Sequence, residues 1–226
     1  MIAVASLALA VSAGEAQSIT QFWPEVDYFQ QLAGQSRLML QALGAVGSDS
    51  VGEDQQYGIN VDFSFRRRDF VERLLGAQSL ADDRQQPLQL RLGYRYAETI
   101  GKSGLSAQNR LIAELTFRRL LWGITTGDRN GFDFRWTNGE YSTRYRNRIM
   151  LERPIMTRGY EWTPYSDAEW AYTFSNDRWA YVKYEAGVQL PILKHFTAEV
   201  YGGLQNSWTN QPDQIYAFGL TLVASY

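Results

Sequence analysis

The sequence predicts an all-β protein, specifically a closed antiparallel transmembrane β-barrel of about twelve strands, with ten strands as the alternative. Three observations support this fold class. Apolar and polar residues alternate with a period of two along most of the chain. The apolar sets carry almost no charge over about ten residues at a time, and most tryptophans fall near the ends of the predicted strands.

The alternation is clearest between Tyr57 and Phe65, where every second residue is apolar and the residues between them include Asn60 and Asp62. The stretches 87–96, 109–118, 132–136, 142–152, 166–174, 180–190, 196–204 and 215–226 repeat the pattern. A soluble barrel or sandwich, with its apolar set facing a core, is the alternative. The charge-free apolar sets favour lipid, and only a closed barrel lets such strands cross a membrane without an unpaired edge.

Tryptophan positions give the second indication of a membrane barrel. Those near the ends of predicted strands are Trp23, Trp122, Trp136, Trp162, Trp179 and Trp208, and Trp170 is the exception. Aromatic side chains at these heights form the girdles that mark the two membrane interfaces of outer-membrane barrels.

Strand number follows from counting the alternating segments. The candidate strands begin near Trp23, Arg37, Gln55, Pro87, Asn109, Gly123, Tyr141, Trp162, Trp179, His195 and Asp213. Single-chain bacterial barrels usually have an even number of strands, so we predict one more. The segment 67–86 could contain it, or could form a short amphipathic helix. If both termini are periplasmic, the turn 137–140 faces outside and the turn 191–195 faces the periplasm.

Composition limits the classes of function. A net charge of −2 argues against a nucleic-acid partner, and the absence of cysteine removes thiolate metal ligands and thiol nucleophiles. No phosphate-binding loop or dinucleotide fingerprint is present, so we predict no cofactor. After residue 13, no apolar run approaches the roughly 20 residues that a membrane-spanning helix needs.

The first residues suggest export. Residues 1–16 combine an apolar run with small residues after it, which predicts a signal peptide, and residues 17–226 then form a single barrel domain. No Lys or Arg precedes the apolar run, which suggests either that the true start codon lies upstream or that the n-region relies on the charge of the amino terminus alone. A frayed apolar terminus of a soluble protein is the alternative.

The last predicted strand carries an aromatic and aliphatic stripe. Its members are Tyr216, Phe218, Leu220, Leu222 and Tyr226. This stripe resembles the C-terminal signal that bacterial barrel-assembly machinery reads. The predicted partners are therefore that machinery during biogenesis and outer-membrane lipid afterwards.

Three stretches carry a resemblance to a known family. They are "WPEVDYF", "FDFRWTNGEYSTRYRNRIMLERP" and "TPYSDAEWAY", and the most distinctive run is Arg144 to Arg148, followed by residues 151–153. From Trp23 to Tyr226 the chain resembles the domain of unknown function 2490 family, regarded as bacterial outer-membrane β-barrels without an assigned activity. The resemblance implies the barrel fold and an outer-membrane location, and it supplies no catalytic residues.

The polar positions of the strands predict a charged barrel interior. The candidate lumen-lining residues are Arg91, Arg95, Arg110, Glu114, Arg135, Arg144, Arg146, Arg148, Glu169, Glu185 and Glu199. Since small barrel interiors are filled by their own side chains, these residues could brace the barrel as bidentate ion pairs. The alternative is a narrow pore that prefers anions near Arg144 to Arg148.

These observations predict a structural or plugged outer-membrane barrel in the bacterial envelope, with a narrow channel for small solutes as the alternative. An outer-membrane enzyme is a third option. His195 is the sole histidine and lies in a predicted tight turn, without the neighbouring hydroxyl and orienting group that a catalytic triad needs. We therefore predict no catalytic residues, no metal site and no enzymatic activity.

Overall fold

The computed structural model describes residues 18–33, 35–47, 53–65, 88–101, 104–208 and 214–226. The predicted signal peptide and the segment 67–86 lie outside these residues. Within the described part of the chain, no helix has the length and apolar character needed to cross a membrane.

The described residues form twelve β-strands, so the predicted all-β fold is confirmed. The strands are β1 (Ser18–Gln31), β2 (Ser36–Gly47), β3 (Glu53–Phe65), β4 (Leu88–Gly101), β5 (Gly104–Leu121), β6 (Ile124–Thr137), β7 (Glu140–Glu152), β8 (Ile155–Thr157), β9 (Tyr160–Thr173), β10 (Arg178–Leu193), β11 (Phe196–Ser207) and β12 (Gln214–Ser225). Every predicted strand start lies within one of them or directly before it. The agreement follows from the period of two, which identifies extended segments, although β1 and β5 begin five residues before their predicted starts.

Eleven of the twelve strands close a barrel. Apart from β1 and β12, neighbouring strands pair antiparallel around the wall, with β7 beside β9 and β9 beside β10. The remaining strand, β8, follows β7 after Arg153 and Pro154 and pairs with the first three residues of β9. Proline lacks the N–H that a central ladder needs, which explains why the β7 ladder is interrupted at this point.

An odd number of strands determines how the barrel closes. Because directions alternate around the wall, the first and last strands run the same way, and β1 pairs parallel with β12 from Ser18–Gln214 to Phe29–Ser225. Ser18, the first described residue, and Tyr226 therefore lie at opposite ends of the barrel. We call the end with the turn Asn138–Gly139 the upper end, and the end with Tyr226 the lower end.

The last residue takes part in this closure. The Tyr226 backbone N–H donates to the Phe29 carbonyl at 2.9 Å, and the Gln31 N–H donates to the Tyr226 carbonyl at 2.7 Å. Its ring stacks on His195, with 4.9 Å between ring centroids, and lies 5.9 Å from the Tyr28 ring. Tyr226 thus extends the β1–β12 seam at the lower end.

The distribution of hydrophobic and charged residues is the opposite of that in a soluble protein. Outward side chains include Val26, Leu92 and Phe218, which are 53%, 46% and 65% exposed. Asp62 and Glu169, by contrast, are 0% and 2% exposed. Large apolar residues normally lie inside and unpaired carboxylates outside. The wall of this barrel is apolar outside and polar inside.

Tryptophans lie near both rims of this apolar wall. Trp122 and Trp162 are near the lower end, and Trp136, Trp179 and Trp208 are near the upper end. Trp23 departs from the prediction, because its ring is on the inner side of β1, 5.5 Å from the Lys183 ammonium. The alternation of β1 explains this, since Phe22 and Val26 take the outward positions.

One polar cluster interrupts the outer surface of β6 and β7. Asp128 is exposed there, and its Oδ1 accepts hydrogen bonds from Asn147 at 2.7 Å and from Asn130 at 3.1 Å. The Tyr145 hydroxyl donates to Asn130 Oδ1 at 2.5 Å. These hydrogen bonds pair polar groups with one another on an otherwise apolar face.

Gly187→Ala should lower the free energy of unfolding by about 1–3 kcal/mol, the usual cost of overpacking. A Cβ there would lie 2.5 Å from the Val200 carbonyl oxygen and 2.6 Å from the Tyr201 Cβ, neither of which can swing aside. Denaturant unfolding in detergent micelles measures the change. Gly202→Ala is the matched control, because its Cβ would meet nothing closer than 4.0 Å. Equal effects at both glycines would contradict the packing described.

Candidate functional site

The charged interior is the candidate functional site of this barrel. Every residue predicted to line the lumen lies on the inner side of the wall, in alternation with exposed apolar residues. The strands bring these side chains together because alternate positions on neighbouring antiparallel strands share one face.

The network begins at Asp62 on β3. Its fully buried carboxylate accepts a hydrogen bond from Arg37 Nε at 2.9 Å, and from Arg91 Nε and Nη2 at 2.7 and 3.0 Å. Two guanidinium groups on the flanking strands β2 and β4 therefore neutralise one carboxylate. The fork-shaped contact from Arg91 is the bidentate geometry that suits a buried pair.

Arg146 on β7 is the central cation. Its guanidinium donates to Asp133 at 2.9 and 3.0 Å and to Glu114 at 2.7 Å, and it lies 3.5 Å from Glu169. These three carboxylates are almost completely buried, and they come from β6, β5 and β9. One arginine thus holds together four strands of the wall.

Arg148, two residues further along β7, extends the network. Its Nε donates to Glu169 at 2.8 Å, and its Nη1 lies 3.7 Å from Glu185 on β10. Glu185 also pairs with Lys183 at 3.1 Å, and the Tyr181 hydroxyl donates to Glu169 at 2.6 Å. With Arg91 3.9 Å from Glu114, ion pairs run without a break from β2 to β10.

Neutral and acidic groups dominate the opposite wall. Glu199 on β11 accepts hydrogen bonds from the Tyr165 hydroxyl at 2.6 Å and from Gln189 at 3.1 Å. On β1, Glu25 accepts from the Gln41 amide, and Asp27 Oδ1 is buried without a hydrogen-bond partner. The interior is therefore asymmetric, with arginines concentrated on β4 to β7.

Arg37, Gln41 and Arg129 are interior residues that the sequence did not single out. The inner positions of β2 mix Arg37 and Gln41 with the buried Met39, so its pattern of alternation is weak. Arg129 stands between Asp128 and Asn130, which face outward, so polarity gives no periodicity there. The cross-strand register, rather than residue type, identifies all three.

His195 lies in the lower-end turn, as predicted, and takes part in the seam. Its Nδ1 is 2.8 Å from the Ser225 carbonyl oxygen, and its ring stacks on Tyr226. Among the described residues, no group of three or more histidine, aspartate or glutamate side chains has the arrangement of a metal site.

Comparison with known proteins gives one match. A family model described as "Protein of unknown function (DUF2490)" matches residues 43–216. The chain belongs to this family. For this DUF2490 protein, the match covers most of the wall, from the second half of β2 to the beginning of β12, and so contains Asp62, Arg146 and Arg148. No curated protein and no solved structure matches the chain.

Proposed function

We propose that this DUF2490 protein is a structural β-barrel of the bacterial outer membrane, closed by its own interior side chains. The observation that carries the proposal is the reversed distribution of residues, with apolar side chains outside and an ion-pair network inside. A soluble monomer rarely exposes a contiguous apolar surface of more than a few hundred Å². In lipid, the same surface is the favourable one.

Several features support this location. Tryptophans near both rims match the aromatic girdles of outer-membrane barrels, and Trp122, which is 96% exposed at the lower end, suits an interface anchor. Tyr216, Phe218, Leu220 and Leu222 form an exposed stripe along β12. Outer-membrane lipid is the proposed partner of the wall, and barrel-assembly machinery is the proposed reader of this stripe.

The interior supports a closed barrel more than an open one. Arg146 and Arg148 each reach three carboxylates from neighbouring strands. A guanidinium held by several partners is fixed in position, and it fills space that a water path would need. The role that follows is mechanical and structural in the envelope.

A narrow channel for small solutes is the second candidate. The observation that favours it is the concentration of arginines on β4 to β6, where Arg95, Arg110 and Arg135 are in cross-strand register. Rings of arginine can select anions.

Single-channel recording distinguishes the two candidates. We expect no discrete conductance steps from the refolded protein in planar bilayers, because the ion-paired side chains occupy the lumen. Insertion is verified in parallel by protease protection in vesicles. Salt-dependent steps would favour the channel, and recovery of the native protein in the soluble periplasmic extract would contradict both membrane roles.

A further inference from the structure

We propose that the upper half of the barrel interior contains a binding site for a phosphate-type oxyanion. The site is formed by Arg95, Arg110, Arg135 and Arg144, which we call the arginine row. It goes beyond the structural role proposed above, because it requires neither a continuous water path nor a particular membrane.

The backbone register places these arginines side by side. Arg95 on β4 is directly opposite Arg110 on β5, and Arg110 is directly opposite Arg135 on β6. Arg144 on β7 is opposite Asp133, which makes it the diagonal neighbour of Arg135. Neighbouring strands are about 4.8 Å apart, and like charges directly opposite each other destabilise a sheet. Such a row is unfavourable unless something neutralises it.

The protein supplies little counter-charge here. Among the described residues, the row makes one contact to a carboxylate within 4 Å, from Arg110 Nη1 to Asp133 Oδ2 at 3.9 Å. That carboxylate already accepts two hydrogen bonds from Arg146, at 2.9 and 3.0 Å. The row therefore differs from Arg146 and Arg148, whose charges are met by buried carboxylates.

Neutral groups take the place of carboxylates around the row. Gln108 Oε1 accepts hydrogen bonds from Arg110 Nη2 at 2.6 Å and from Arg135 Nε at 3.1 Å. Arg95 donates to the Gln41 side-chain oxygen, and Arg144 donates to the Thr173 hydroxyl at 3.3 Å. These amide and hydroxyl oxygens accept hydrogen bonds from individual guanidinium N–H groups. Because the oxygens are uncharged, they do not neutralise the positive charge of the arginines.

Arg95 provides the second, independent indication of a ligand. Its Nε is buried and has no hydrogen-bond partner. A buried donor left unpaired destabilises the fold, and a charged donor does so more strongly. An acceptor that can approach several guanidinium groups at once would remove both this cost and the like-charge repulsion.

The geometry points to a compact oxyanion. Guanidinium groups bind phosphate through paired, parallel N–H donors, and a tetrahedral anion offers oxygens in several directions at once. Inward residues between the row and the upper end include Ser106, Gln108 and Ser142, which are uncharged. Arg110 itself keeps 15% of its side chain exposed, so solvent reaches the row at this member.

The site is tested by isothermal titration calorimetry of the full chain with inorganic phosphate. The protein is folded in a non-ionic detergent, and the ionic strength is kept constant. We expect saturable binding by the wild type and at least a tenfold loss of affinity in Arg110→Gln. Arg118→Gln is the matched control, because Arg118 is also an inward arginine bonded to a neutral group, the Gln89 amide at 2.9 Å. It should retain the wild-type affinity.

Denaturant unfolding separates an anion site from a structural role. In chloride alone, Arg110→Gln should be at least as stable as the wild type, because like-charge repulsion is relieved, and phosphate should stabilise only the wild type and Arg118→Gln. Arg135→Gln repeats the test if the first variant does not fold. Absence of phosphate binding by the wild type, or an equal loss in Arg118→Gln, would overturn the proposal.

Discussion

Replacing Arg146 with Met should lower the free energy of unfolding by about 3–5 kcal/mol, the cost typical of removing one partner from a buried ion pair. Methionine keeps most of the side-chain length and removes the charge. Glu114, Asp133 and Glu169 would then lose their shared partner in the barrel interior, where all three are nearly inaccessible to solvent. Equilibrium unfolding in guanidinium, from detergent micelles, measures the loss.

Two further variants identify the cause of that loss. Arg119→Met removes an arginine from the exposed outer side of β5 and should change stability by less than about 0.5 kcal/mol. Adding Glu114→Gln and Asp133→Asn to Arg146→Met removes two of the carboxylates that lost their partner, and it should recover part of the stability. If the triple variant is as unstable as the single one, the cost does not come from unpaired carboxylates.

The wall of the barrel could be predicted from the sequence because its pattern is local. Successive side chains of a strand point to opposite faces, so Tyr57, Ile59 and Phe63 already separate from Asn60 and Asp62 within one segment. Asn138–Gly139 likewise predicts its own turn, since both residues adopt the positive φ, 51° and 89°, that a two-residue hairpin turn requires.

Closure and pairing could not be predicted in the same way because they are not local. The eleven predicted strand starts correspond to the eleven strands of the wall, whereas no predicted start marks the short twelfth strand β8, which pairs only with β9. Nothing within β1 or β12 indicates that they pair in parallel. Which carboxylate meets which arginine also depends on register across the wall: Arg146 and Glu114 are 32 positions apart in the chain.

The same limit explains the difference between the predicted and observed centres of positive charge. The run from Arg144 to Arg148 places three arginines at alternate positions of one strand, and a pore was expected to prefer anions there. Arg146 and Arg148 are instead neutralised by Asp133, Glu169 and Glu185, which arrive from other strands. Uncompensated charge lies at the arginine row, whose members are dispersed along the chain and meet only in the folded sheet.

Leu92→Arg tests whether the apolar wall faces lipid. Leu92 lies in the middle part of β4, is 46% exposed and points outward. An arginine near the bilayer midplane costs about 2–4 kcal/mol in outer-membrane barrels, so unfolding from phospholipid vesicles should show a loss of that size. A soluble barrel would tolerate the same exposed charge with almost no change.

Leu105→Arg is the matched control for that experiment. Leu105 is also outward, 62% exposed, but it is the second residue of β5 at the upper end, where an arginine should cost only about 0–1 kcal/mol. An inward control at Gln89 is unsuitable, because Gln89 is buried and already accepts a hydrogen bond from Arg118. A large loss at Leu92 with a small one at Leu105 is the depth dependence expected of a bilayer. Equal tolerance at the two positions would mean that this surface does not lie in a membrane, and the structural role proposed here would then need a different environment.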